Sequence, residues 1–183
     1  MLRFPKRYAD TVARLRVPTG FLLVAVFAWF SRPTARWMAL GVPVSLAGLA
    51  LRAWAAGCLA KNRQLATGGP YAHTRNPLYL GTLMVAAGLA IASDSPGLGA
   101  LVAAVFLLIY LPVIQLEEQH LRRLFPDYEA YAQAVPALWP RLRALPQKRA
   151  PGFRPALYLR NQEYNAAAGF AAGLLLLLWK MRY

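Results

Sequence analysis

Acidic residues are the scarcest chemical class in this chain. Seven Asp and Glu stand against 21 Lys and Arg, a formal net charge of +14, and all charged residues together make up only 15%, where about 25% is usual in soluble domains. So little charge excludes an ordinary water-soluble globule. Cysteine is nearly absent as well. The single Cys58 sits inside an apolar stretch, which excludes an intrachain disulfide framework and a Cys-based metal cluster, and no metal site is expected. What the chain has in excess is apolar residues, 58% of its 183 positions. A positive balance of this size calls for an anionic partner, nucleic acid or a lipid surface. A nucleic-acid binder carries its bases among polar residues on a hydrated face. Here they punctuate long apolar runs, so the partners expected are anionic lipid headgroups and a membrane-borne substrate, with no nucleic acid.

Five apolar runs are read as membrane spans: about 17–31, 37–60, 78–92, 97–116 and 166–179. The first is not a signal peptide, because it ends in Ala28-Trp29-Phe30-Ser31, where a cleavage site needs small residues. Three runs hold only about 15 residues, roughly 22 Å of helix against a hydrocarbon core of about 30 Å, so they draw on interfacial residues or a thinned bilayer. The link Ala92–Pro96 is long enough only for an antiparallel hairpin. The predicted fold is an all-α integral membrane protein with about five transmembrane helices and an interfacial amphipathic helix after the fourth. Three segments are distinguished: 1–60 with the basic N-terminus and two spans, 61–141 as a core of two helices and two polar segments, and 142–183 with a basic stretch and the last span.

Orientation follows from the bases. With the N-terminus cytoplasmic, sixteen of the 21 lie inside: five before the first span, then Lys61, Arg63 and Arg75, then eight from Arg122 to Arg160, among them Lys148 and Arg149. A multi-pass protein of a bacterial inner membrane or its equivalent is expected. Small residues at Gly41 and Ser45, around Gly88, and at Gly169 and Gly173 read as helix-packing positions. Arg52, within the second span, is open between a functional intramembrane charge and a side chain snorkelling to the interface.

Two polar segments are too specialised for connectors. Between spans two and three, Gly68, Gly69, Pro70, Tyr71, His73, Arg75, Asn76, Pro77 and Tyr79 fall within twelve residues. Gly-Gly-Pro turns the backbone sharply, and Pro77 opens a helix whose first N–H groups are free for a polar ligand. An interfacial Tyr belt with turn residues is the competing reading. Beyond span four, Glu117 and Glu118 are adjacent in a chain with seven acids, and Leu121, Leu124, Phe125, Tyr128 and Tyr131 follow at helical spacing with a break at Pro126. Glu117 and His120 share a helix face, while Glu118 and Arg122 are spaced for an ion pair.

At these two segments the sequence resembles the membrane methyltransferases that include isoprenylcysteine carboxyl methyltransferase and the phospholipid methyltransferases. The matching residues are Gly69-Pro70-Tyr71, Arg75-Asn76-Pro77-Leu78-Tyr79, the pair Glu117-Glu118, and Tyr128-Glu129-Ala130-Tyr131 leading to Val135-Pro136 and Trp139-Pro140. The resemblance implies S-adenosylmethionine as cofactor, bound by Gly69, Pro70, Tyr71, Arg75, Asn76, Tyr79, Glu117 and Glu118, and methyl transfer to a lipid amine headgroup or carboxylate at the cytoplasmic surface. Glu117 and His120 are the catalytic candidates, as bases for an ammonium acceptor. Asn76 stands where the family usually has His, Gln115-Leu116 where the isoprenylcysteine branch has Arg, and about 40 residues follow the family's usual end. The alternatives are an NADPH-dependent lipid double-bond reductase-like protein, since sterol reductases resemble the same module, and a non-enzymatic membrane protein retaining a relic motif.

Overall fold

A computed structural model describes residues 4–146 and 152–182 of the chain; Arg3, Lys148 and Arg149, counted above among the inside charges, lie outside them. The described residues are helical with no strand. Every apolar run becomes a helix: α1 (Lys6–Phe30), α2 (Ala35–Cys58), α3 (Pro77–Ala92), the stack of α4 (Pro96–Val105), a π-helical turn (Phe106–Tyr110) and α5 (Leu111–Leu124), and finally α8 (Tyr164–Arg182). Two short helices, α6 (Tyr128–Ala134) and α7 (Pro155–Arg160), lie in the polar segments. Three of the long helices are long and apolar enough to cross a membrane, and a fourth if the two halves of α1 count as one. The halves of α1 meet at 56° just before Pro18, as expected where a proline ring removes an N–H and crowds the preceding turn. Helix α1 begins at Lys6, well ahead of its apolar run. Large apolar side chains such as Phe21, Leu22, Trp29, Leu107 and Leu175 lie on the outside, where lipid is the solvent. The chain is a multi-pass membrane protein.

The tightest contact is between α2 and α3, and glycine sets it. A Cβ on Gly41 would lie 2.2 Å from the Gly88 carbonyl oxygen, and one on Gly88 would lie 2.3 Å from the Ser45 hydroxyl. Gly48 and Gly81 meet in the same way, 2.7 Å from Gly48 to the Gly81 carbonyl oxygen. The Ser45 hydroxyl donates to the Val85 carbonyl at 3.0 Å. Without side chains between them the backbones approach closely and dispersion replaces the missing hydrophobic drive. A Cβ on Gly169, a residue expected to pack, would meet nothing within 4 Å, whereas one on Gly173 would lie 3.6 Å from Leu89.

The π turn between α4 and α5 has a local cause. Pro112 lacks the N–H that the Leu108 carbonyl would accept from, and the Tyr8 hydroxyl of α1 donates to that carbonyl instead, at 2.8 Å. The Leu111 N–H reaches back five residues to Phe106, closing the π turn. Gln115 fastens the start of the chain to α5, accepting from Phe4 N–H at 2.8 Å and donating to Phe4 O at 3.0 Å.

Candidate functional site

The site forms where α2 and α3, α5 and the short helices converge at one end of the bundle. Gly69 has φ of +58° and opens a 3-10 turn, Gly69–Ala72, that Gly tolerates and other residues do not. A Cβ there would also lie 2.9 Å from Cys58 Sγ. The turn buries Pro70 and Tyr71 and sends the chain through Thr74 and Arg75 into Pro77, the first residue of α3.

The segment is then tied down from the far side. Arg75 N–H donates to Pro136 O at 2.9 Å, Arg141 N–H to His73 O at 2.9 Å, and Leu145 N–H to Ala72 O at 3.0 Å. The Thr74 hydroxyl donates to Ala137 O at 3.0 Å, and His73 Nδ1–H to Arg141 O at 2.8 Å. The Tyr131 hydroxyl donates to Tyr71 O at 2.8 Å. The Tyr-Val-Pro tail of the second motif is therefore the clasp of the first.

At its centre is a buried ion pair. Arg75 Nε donates to Glu118 Oε1 at 2.9 Å and Nη2 to Oε2 at 3.1 Å, while Nη1 donates to Ala132 O at 2.6 Å and Val135 O at 2.7 Å. Four of the five guanidinium donors are thus committed inside the protein, leaving one on Nη2. Burial opposes the Arg75 charge, but the Glu118 hydrogen bonds and charge outweigh it and raise its pKa. Asn76 Nδ2 donates to Glu118 Oε1 at 3.2 Å and to Ala137 O at 3.0 Å. The ion pair between Glu118 and Arg122 suggested by their spacing does not form. Arg122 instead pairs with Glu129 and sits 5.6 Å over the Tyr128 ring.

Beside this latch opens a cavity of about 640 Å³, within the roughly 300–1,000 Å³ usual for small-molecule sites. Tyr71, Arg75, Asn76, Tyr79, Glu117 and His120 line it, so six of the residues singled out from sequence converge. Glu117 and His120 are exposed and one turn apart on its open side. Gly69, Pro70 and Glu118 do not line it: the first two shape the turn, and Glu118 is buried behind the wall as the partner of Arg75 and Asn76. Tyr79 and Tyr110 meet edge to face with centroids 6.0 Å apart, and the π turn is what carries Tyr110 into the wall. Tyr128, another wall residue, has a buried hydroxyl beside Glu118 without a hydrogen bond of normal geometry. Burial and then neighbouring charge raise the pKa of Tyr71, Tyr128 and Tyr131, so all three are neutral phenols at physiological pH.

Several wall residues carried no signal in the motifs: Lys61, Thr82, Tyr110 and Asn161, together with Arg52. Arg52 does not snorkel freely. Its Nε pairs with Glu163, and its Nη1 donates to the Thr82 hydroxyl and, at 3.3 Å, to Leu78 O. The isolated acid just before the last apolar run was the available clue to that pairing.

The sequence profile described as phospholipid methyltransferase matches residues 16–128. The chain belongs to the phospholipid methyltransferase family. Its members are membrane methyltransferases in general terms, and the match runs from within α1 to the start of α6, including both the Arg75 turn and the acidic pair. The chain is also similar to the cobalt-zinc-cadmium resistance protein CzcN of Cupriavidus metallidurans, 34% identical over 137 residues, which are 69% of this chain and 62% of that protein. The nickel-cobalt-cadmium resistance protein NccN of Alcaligenes xylosoxydans xylosoxydans is 34% identical over 137 residues, 69% of this chain and 63% of that protein. The chain thus spans about three fifths of the length of these curated relatives. No solved structure matches it.

Proposed function

We propose that the protein transfers a methyl group from S-adenosylmethionine to an amphiphile held in the membrane, at the cytoplasmic face. The observation that carries this reading is the convergence of Tyr71, Arg75, Asn76, Tyr79, Glu117 and His120 on one cavity at the end of a membrane-spanning bundle. The wall chemistry suits the cofactor. Tyrosine faces and the Glu117 carboxylate favour a sulfonium and an ammonium. The remaining Nη2 donor of Arg75 suits a carboxylate.

When bound, the cofactor supplies an electrophilic methyl group. The chain's residues have the tasks of positioning and proton control. The clasp through Tyr131, Thr74 and Arg75 fixes the wall, and the buried Tyr rings exclude water. A carboxylate acceptor needs no base; an ammonium acceptor loses its proton to the His120 imidazole or the Glu117 carboxylate on the open side of the cavity. The inside excess of Lys and Arg supports a cytoplasmic site and N-terminus.

The metal-resistance names of the relatives fit the same reading if methylation changes the charge of envelope lipids. With Arg52, Lys61 and Arg75 in the lining and Glu117 as its one carboxylate, the wall is a poor ligand set for a metal ion.

Calorimetry on the purified chain in neutral detergent, titrated with S-adenosylmethionine, S-adenosylhomocysteine and NADPH, tests the proposal. Binding of the sulfur compounds, weakened by Glu117→Ala, is the expected result; binding of NADPH alone would assign a reductase. Incubation with labelled donor and a total lipid extract then identifies the acceptor.

A further inference from the structure

The segment after the family match folds back onto the site. Phe153 packs against Gly57 so closely that a Cβ there would lie 2.1 Å from its ring. Arg154 N–H donates to Gly57 O at 2.9 Å, and Asn161 Nδ2 donates to Ala56 O at 2.9 Å and Leu59 O at 3.0 Å. These bonds cap the end of α2 and place Asn161 in the cavity wall and Glu163 against Arg52.

Arg52 is held on three sides, by Glu163, Thr82 and the Leu78 carbonyl, through Nε and Nη1. Its Nη2 makes no hydrogen bond to a described residue, and the residue lines the cavity. With Nε and Nη1 committed, Nη2 keeps its N–H donors for a single oxygen of a phosphate or carboxylate. Lys61, an exposed lining residue, adds positive charge to the cavity. Glu163 is 8% exposed, and its charge makes an Arg inside an apolar helix tolerable while the cavity is empty of anion.

We infer that Arg52 binds an anionic group carried by the amphiphilic acceptor, with Glu163 and Thr82 as positioning residues. The inference rests on the methyl-transfer reading for the word acceptor, but the anion receptor itself can be read without it. It divides the cavity into a wall of Arg75, Asn76 and Glu117 for the cofactor and a wall of Arg52, Thr82 and Asn161 for the acceptor.

The experiment titrates the full chain in neutral detergent with dodecyl phosphate, dodecyltrimethylammonium and inorganic phosphate, with S-adenosylhomocysteine binding measured on every sample. Wild type should bind dodecyl phosphate at least about tenfold more tightly than the ammonium amphiphile, and Arg52→Gln should abolish that preference. Thr82→Val, which changes no charge, should weaken dodecyl phosphate several-fold by freeing the guanidinium. Glu163→Gln keeps an acceptor but removes the opposing charge, and should tighten it, which a purely structural ion pair would not do. Equal binding of both amphiphiles by wild type, or no response to Arg52→Gln in a sample whose unfolding midpoint is preserved, overturns the inference. Displacement of dodecyl phosphate by inorganic phosphate at equal concentration overturns the assignment to a lipid-borne anion. Failure of the methyl-transfer reading shows separately, as loss of S-adenosylhomocysteine binding in wild type.

Discussion

Replacing Arg75 should damage the folded protein before it damages any ligand contact. The side chain is 11% exposed and its partner Glu118 9%, and it also holds the Ala132 and Val135 carbonyls. Arg75→Ala leaves a carboxylate and two carbonyl oxygens buried without these donors, a loss of about 3–5 kcal/mol for breaking a buried pair from one side. Glu118→Ala strands the guanidinium in the same way and also removes an acceptor from Asn76. Replacing both, as Arg75→Met with Glu118→Leu, removes the charges together and should cost well under the sum of the two single changes. The assay is a double-mutant cycle from equilibrium unfolding in detergent micelles, without ligand. For a chain of this size, about 4 kcal/mol corresponds to a fall in melting temperature of about 10 °C. Additive single changes, with a coupling below about 0.5 kcal/mol, would refute the latch and return Arg75 to the role of a ligand contact, since a pure ligand contact lowers affinity and leaves the empty protein as stable as before.

Gly88→Leu should separate α2 from α3, because even a Cβ lies 2.3 Å from the Ser45 hydroxyl; a loss of at least about 1–3 kcal/mol from overpacking is expected in the same unfolding assay. Tyr131→Phe removes the donor to Tyr71 O and should cost about 1 kcal/mol, with a larger effect on affinity for S-adenosylhomocysteine, since Tyr71 lines the cavity. The pKa values of Tyr71, Tyr128 and Tyr131 are raised in the folded state, so their stabilising effect is complete below the unfolded tyrosine value of about 10 and is lost as pH rises above it. Melting temperature measured from pH 8 to pH 11 should therefore be level at first and fall beyond pH 10, and Tyr131→Phe should fall less steeply.

The two motifs were legible in the sequence because turns and helix starts are short-range matters. Gly69 needs a positive φ, Pro77 opens α3, and the acids stand at the end of an apolar helix. Their roles were less legible. Glu118 and Glu117 are neighbours in sequence, yet a step of one residue on a helix turns a side chain by about 100°. One therefore faces the Arg75 latch and the other the open cavity.

The sequence by itself determined that this is a membrane protein of packed helices and where the apolar helices lie, because hydropathy acts locally along the chain; the early start of α1 at Lys6 and the short α7 were not among its expectations. It also marked the residues that meet at the site. Only the tertiary structure decided what each of them faces. Arg52 and Glu163 are 111 positions apart, as are Phe4 and Gln115, and Tyr110, at the end of the π turn that precedes Pro112, enters the cavity wall while Tyr8 of α1 satisfies the freed Leu108 carbonyl. Such pairings depend on how the helices cross, and no periodicity within a single helix encodes the crossing.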